Sequence, residues 1–163
     1  MNNYLSAIGY QGPNILLVLI LIGFVYTNIT NPYLYGAVII WQFASHLINI
    51  IIKNTLKAPR PDSELEEFAR LKKSINFKNY LIIHRNFGMP SGHAQAMLSE
   101  LTFIMLYFKQ PIIIAIALLQ TALTLWQRYS TKRHSLQQLL AGSIIGIGIG
   151  LVFYRIVINT KSI

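Results

Sequence analysis

Cysteine is absent from the 163-residue chain, which excludes disulfides, thiolate metal sites and a thiol nucleophile. Charge is scarce as well. Asp, Glu, Lys and Arg make up 12% of residues, against about 25% in a soluble domain. Acids are the scarcest, 5 against 14 Lys and Arg, giving a formal net charge of +9. The hydrophobic residues, 53% of the chain at a mean hydropathy of +0.46, come in long blocks rather than a narrow helical stripe. That pattern predicts an all-α, integral-membrane helical bundle in the lipid bilayer. Most cations lie between the apolar blocks, so anionic lipid or a phosphorylated substrate is the expected partner, and nucleic acid is not. The length predicts a single domain spanning 1–163.

Met1 to Gly12 carries no Lys or Arg, so a cleaved signal peptide is not expected. The apolar blocks predict five transmembrane helices, over about 13–29, 33–52, 91–108, 111–126 and 136–158. In the second, Gln42, His46, Asn49 and Lys53 recur at spacings of four, three and four, which places them on one helical face. Such a stripe is either a set of interhelical hydrogen bonds or the floor of a wet cavity, and its ending on Lys53 favours the cavity. From Thr55 to Met89 hydropathy collapses. There Ser63-x-x-Glu66 is a capping-box start for a short amphipathic helix to about Lys73, and 75–84 reads as an interfacial stretch. Asn28-Ile29-Thr30 is formally a glycosylation sequon set close against the bilayer. In the last block Gly142, Gly146 and Gly150 form a small-residue face suited to close helix packing.

Three stretches carry chemistry: Lys53-x6-Arg60-Pro61, then Pro90-Ser91-Gly92-His93, then Arg128-x5-His134. With five spans, counting crossings brings all three to one face of the bundle. A helix beginning at Ser91 offers unpaired N–H groups and partial positive charge to an anion. Ser91 is a natural N-cap, and Gly92 permits close approach to the backbone. Lys53, Arg60 and Arg128 are fixed cations, and Arg128 has the planar fork that clamps two phosphoryl oxygens. Such a set supports phosphoryl transfer without a metal, one imidazole attacking phosphorus while the other protonates the leaving oxygen. Glu100, seven residues after His93, either tunes that imidazole or is a polar packing contact. His46 is expected as a packing residue and His84 in a solvated loop. Lys57, Lys72, Lys73, Lys78, Lys132 and Arg133 are expected as interfacial anchors.

Taken together, these stretches resemble the type 2 phosphatidic acid phosphatase superfamily of integral-membrane lipid phosphatases. Its pattern is Lys-x6-Arg-Pro, Pro-Ser-Gly-His and Ser-Arg-x5-His-x3-Asp. The first two match in full; in the third, Gln127 replaces the Ser and Gln138 the Asp. The resemblance covers about Lys53 to Gly142. It implies His134 as nucleophile and His93 as general acid. Lys53, Arg60, Arg128 and the Ser91 and Gly92 amides would hold phosphate, and water would hydrolyse a phosphohistidine with no metal or other cofactor. The Asp of the pattern orients and charges the nucleophilic histidine. Gln138 can accept a hydrogen bond from His134 in a supporting role but cannot stabilise an imidazolium by charge. A better leaving group tolerates that loss, as when a phosphomonoester leaves a diphosphate.

The dolichyl diphosphate phosphatase branch is similar here, with Gln at the matching place. It is also similar around Phe87-Gly88-Met89-Pro90-Ser91-Gly92-His93-Ala94-Gln95 and His134-x3-Gln138-x3-Ala141-Gly142. The implied substrate is a membrane lipid, a polyprenyl (dolichyl-type) diphosphate cut to the monophosphate in the endoplasmic reticulum membrane. The alternatives are a broader lipid phosphate phosphatase of the phosphatidic acid type and a non-catalytic lipid-phosphate-binding protein. Two rules disagree on sidedness. The motif-bearing face holds eleven of the fourteen Lys and Arg residues, which by the positive-inside rule is cytoplasmic, whereas the resemblance implies the lumen.

Overall fold

The computed structural model describes residues 3–27, 31–62 and 86–160. The amphipathic helix expected over 63–73, the interfacial stretch 75–84 and the sequon at 28–30 lie outside them. Among the described residues there are six helices: α1 Asn3–Tyr10, α2 Gly12–Tyr26, α3 Pro32–Leu56, α4 Gly92–Tyr107, α5 Pro111–Ser130 and α6 Leu136–Thr160.

Local chemistry sets several of their ends. The Asn31 side chain accepts from the Tyr33 amide at 3.0 Å, and Pro32 follows at a position where its missing N–H costs nothing. At the other end of α3, Lys57 turns left-handed (φ 48°) and its amide donates to the Lys53 carbonyl at 2.8 Å. Ser91 caps α4, its hydroxyl accepting from the Ala94 amide. Ser135 and Gln138 cap α6 reciprocally: the Gln138 amide donates to Ser135 Oγ at 3.3 Å, and the Ser135 amide donates to Gln138 Oε1 at 3.2 Å. This is a capping box, the Ser-x-x-Gln form of the signature.

Among the described residues three helices are long and apolar enough to cross a membrane, at Pro32–Leu56, Pro111–Ser130 and Leu136–Asn159. A fourth crossing results if α1 and α2, bent by 63° at their junction, count as one. Of the five spans expected, three to four are matched by helices that pass on length and hydropathy. With 15 residues in α2 and 16 in α4, neither reaches the roughly 20 that a bilayer core demands of a helix. The outward faces of the long helices are apolar, with Ile39, Leu119 and Ile144 each more than 70% exposed, as lipid contact requires.

Helix α4 is the hub, packing against α2, α3, α5 and α6. Its closest neighbour is α6, and glycine makes that approach possible. A Cβ on Gly142, Gly146 or Gly150 would run into the carbonyls of Ser91, Gln95 and Ser99 respectively. The two four-residue ladders run parallel, backbone against backbone. Farther along α4, roughly 15 Å from His93 at the helical rise, an aromatic core gathers around Phe103. Trp41 stacks on Phe153 at 4.1 Å and 8° and donates from Nε1 to Ser99 Oγ at 3.1 Å. Apolar packing thus fills one end of the bundle and leaves the other to a polar cavity.

Candidate active site

That cavity, about 1210 Å³, is lined by Lys53, Arg60, Gly92, His93, Arg128 and His134. Gln42, His46 and Asn49 continue its wall down α3, so the polar stripe faces a cavity. The wall descends about 16 Å from Lys53 to Gln42 at the helical rise.

Each cation reaches the cavity from a different element. Lys53 is buried in the last turn of α3. Arg60 follows on the Pro59–Pro61 stretch, where its Nη1 donates to the Arg133 carbonyl at 3.4 Å. Burial draws Arg60 below its usual pKa, with Arg133 acting in the same direction and Asp62 opposing. Arg133 pairs with Asp62 at 3.3 Å on the surface beside it. Arg128 lies in the last turn of α5, and its Nε is buried with no hydrogen-bond partner among the described residues. A buried donor of this kind is costly unless a ligand satisfies it.

His134, only 2% exposed, follows the end of α5 and donates its amide to the Arg128 carbonyl at 3.2 Å. Its Nδ1 lies 2.9 Å from the Gly88 carbonyl oxygen. Burial, reinforced by Arg60, Lys53 and Arg128, lowers its pKa from 6.5 to about 3, with the Gly88 bond opposing. The ring is therefore neutral at physiological pH. His93 stands in the first turn of α4, with Nε2 3.2 Å from the Tyr10 carbonyl oxygen.

Two expected roles change. Gln138 does not hold His134. Its Nε2 donates to the Pro59 carbonyl at 2.7 Å, its Oε1 serves the α6 cap, and its main-chain carbonyl accepts from the Ser91 amide at 3.0 Å. One residue thereby ties the first motif, the second and the start of α6. The Ser91 amide, committed to that bond, and the fully buried Ser91 side chain shape the helix start, leaving Gly92 as the member of the pair that lines the cavity. Gly88 lies against the Gln138 side-chain amide: a Cβ there would come 2.5 Å from Gln138 Nε2. Its own N–H donates to the Ala58 carbonyl at 2.8 Å.

Glu100 resolves as a packing contact, accepting from Gln42 Nε2 at 2.7 Å. Higher in the same wall, toward Lys53, Asn49 Nδ2 donates to Gln95 Oε1 at 2.9 Å, and Gln95 Nε2 to the Ser45 carbonyl at 2.7 Å. The sequence reading missed Tyr10, Gly88 and the capping box. Of these only Ser135-x-x-Gln138 carried a readable signal.

The PAP2 superfamily model matches residues 32–162. The chain belongs to the PAP2 superfamily. No curated protein and no solved structure is similar enough to match it. PAP2 proteins are lipid phosphate phosphatases that in general hydrolyse without a metal. The cavity brings together cations, a helix start at its rim and two imidazoles, buried His134 and half-buried His93, each on a backbone carbonyl.

Proposed function

We propose that the protein hydrolyses a polyprenyl (dolichyl-type) diphosphate to the monophosphate and phosphate through a phosphohistidine. The observation that carries this reading is the Gly88 carbonyl on His134 Nδ1. A carbonyl only accepts, so Nδ1 bears the proton and Nε2 keeps its lone pair. In the reaction Nε2 attacks the terminal phosphorus as the P–O bond to the lipid monophosphate breaks, and His93 protonates the leaving oxygen. Lys53, Arg60, Arg128 and the Gly92 amide hold the transferred phosphoryl group and offset its charge. Water then attacks phosphorus, giving up its proton to His93 as the P–N bond breaks. Gln138 leaves His134 without a carboxylate partner, which a phosphate leaving group tolerates better than an alkoxide does.

Purified protein in EDTA should release phosphate from a polyprenyl diphosphate, and His134→Ala should abolish that release. Equal activity in the variant would overturn the assignment. A second reading, a broader lipid phosphate phosphatase, is favoured by the cavity. At about 1210 Å³ it exceeds the roughly 300–1,000 Å³ of common small-molecule sites. A panel of lipid mono- and diphosphates separates the two.

In the bilayer the bundle reads as five crossings, the bent α1–α2 pair and the short α4 each counting as one. The dolichyl-type reading puts it in the endoplasmic reticulum with its site in the lumen. Because the chain has no cysteine, Lys132→Cys and Lys109→Cys can be labelled singly. They should react from opposite sides, Lys132→Cys from the lumen; labelling from one side would refute the topology.

A further inference from the structure

Tyr10 ends α1 and touches both halves of the site. Its carbonyl oxygen is 3.2 Å from His93 Nε2, and its ring lies 5.2 Å from that imidazole at 44°. The Arg128 guanidinium carbon sits over the same ring, 5.5 Å from the centroid. These contacts depend on α1 lying along α5. Gln120 Nε2 donates to the Ile8 carbonyl at 3.0 Å and Gln127 Nε2 to Ser6 Oγ at 3.3 Å. Two glycines admit the close approach. A Cβ on Gly9 would come 2.8 Å from Gln127 Cβ, and one on Gly12 would run into Thr124 Oγ1. The family match begins at residue 32, so this contribution comes from outside the matched region.

We propose that Tyr10 is a positioning residue of the phosphate site, its carbonyl fixing the His93 ring and its aromatic face bracing Arg128. The carbonyl makes Nε2–H the fixed side of His93 and leaves Nδ1 to exchange a proton. It also stabilises the imidazolium that forms when the ring is charged. The ring's negative face attracts the guanidinium and restricts its rotamers, so the fork is set before phosphate arrives. Arg128 Nε, buried without a partner, is the donor that a correctly held fork would present.

The effect on turnover rests on the proposed phosphatase reaction; the effect on phosphate binding does not. The first experiment is calorimetric titration of inorganic phosphate into full-length wild type, Tyr10→Phe and Tyr10→Leu. Tyr10 is 53% exposed, so these variants should fold. The expected result is binding about fivefold weaker in Tyr10→Leu and within about twofold of wild type in Tyr10→Phe, as the ring face alone requires. Unchanged binding in Tyr10→Leu, or an equal loss in both variants, overturns the bracing role.

The second experiment measures turnover at saturating polyprenyl diphosphate. Gly12→Ala keeps the Tyr10 side chain but pushes α1 from α5, and should lower kcat about tenfold. Thr124→Ala on that background removes the nearest obstacle, the hydroxyl, and leaves Met97 Sδ at 2.9 Å on a flexible side chain, so it should recover part of the loss. Gly12→Ala with unchanged kcat, or with a loss that Thr124→Ala does not relieve, overturns the orienting role. Wild type that binds phosphate without releasing any from the lipid would refute the proposed reaction, while the binding series still decides on Tyr10.

Discussion

His134 holds its Nδ1 2.9 Å from the Gly88 carbonyl, and position 138, where the family pattern has an aspartate, is turned to another task. Gln138 donates to the Pro59 carbonyl at 2.7 Å while its main-chain carbonyl accepts from Ser91. A backbone carbonyl orients the imidazole but adds no full charge. The glutamine clasps together the segments that carry Arg60 and His93.

Replacing Gln138 by the family's aspartate is therefore expected to lower activity. A carboxylate cannot donate to Pro59, and it faces that oxygen with like charge. Losing one such part-buried hydrogen bond costs about 0.5–1.5 kcal/mol, and the like-charge contact adds to it. Phosphate release by Gln138→Asp should fall at least fivefold, with a lower Tm in the same detergent. An aspartate variant faster than wild type would show that charge on His134 outweighs the clasp.

Arg128→Lys should not preserve function. The lysine keeps the charge but loses the planar fork and the Nε that lies buried and unpartnered in wild type. A charged hydrogen bond is worth about 1.5–3 kcal/mol, so kcat/KM should drop by roughly 10- to 100-fold. Inorganic phosphate, titrated into both proteins, should bind the lysine variant correspondingly less tightly. Wild-type kcat/KM in the variant would mean that a point charge suffices.

Acid should destabilise the protein through His134. Its folded pKa, about 3 against an ordinary 6.5, means that the unfolded chain binds a proton between those values while the folded chain does not. Stability from this group is therefore complete above about pH 6.5 and is lost as pH falls toward 3. Thermal unfolding at about pH 4.5 and about pH 7.5 should show a large drop for wild type, with a smaller one for His134→Gln. Equal drops would place the acid sensitivity elsewhere.

Much of this site was legible because its parts are short and local. Lys53-x6-Arg60-Pro61, the Ser91 cap and Arg128-x5-His134 each sit at a helix end, and counting apolar blocks brought those ends to one face. The Gln42, His46, Asn49 and Lys53 stripe was legible for the same reason, since one helix face follows from periodicity. Tyr10 was not. An eight-residue helix without charge offers no periodic signal, and its place depends on Gly9 and Gly12 meeting α5, more than a hundred residues later. The shapes of two of the spans were illegible for a related reason. Hydropathy registers that a block is apolar, but not that α2 begins at a 63° bend or that α4 stops after 16 residues.

The α4–α6 contact offers a test of the scaffold apart from the chemistry. Gly146 presses against the Gln95 carbonyl, whereas Gly148, on the same helix, has nothing within 4 Å of where its Cβ would lie. Alanine favours the helix over glycine by roughly 1 kcal/mol at both positions. At Gly148 that gain stands alone, so Gly148→Ala should raise Tm slightly and leave activity intact. At Gly146 the methyl group must push α6 from α4. This disturbs Gln95 with its bonds to Asn49 and Ser45, and through them the cavity wall. Gly146→Ala should lower Tm despite the better helix former, by about 1–3 kcal/mol of stability, and reduce phosphate release with it. If both alanines stabilise alike, α4 and α6 are not packed backbone to backbone at this level.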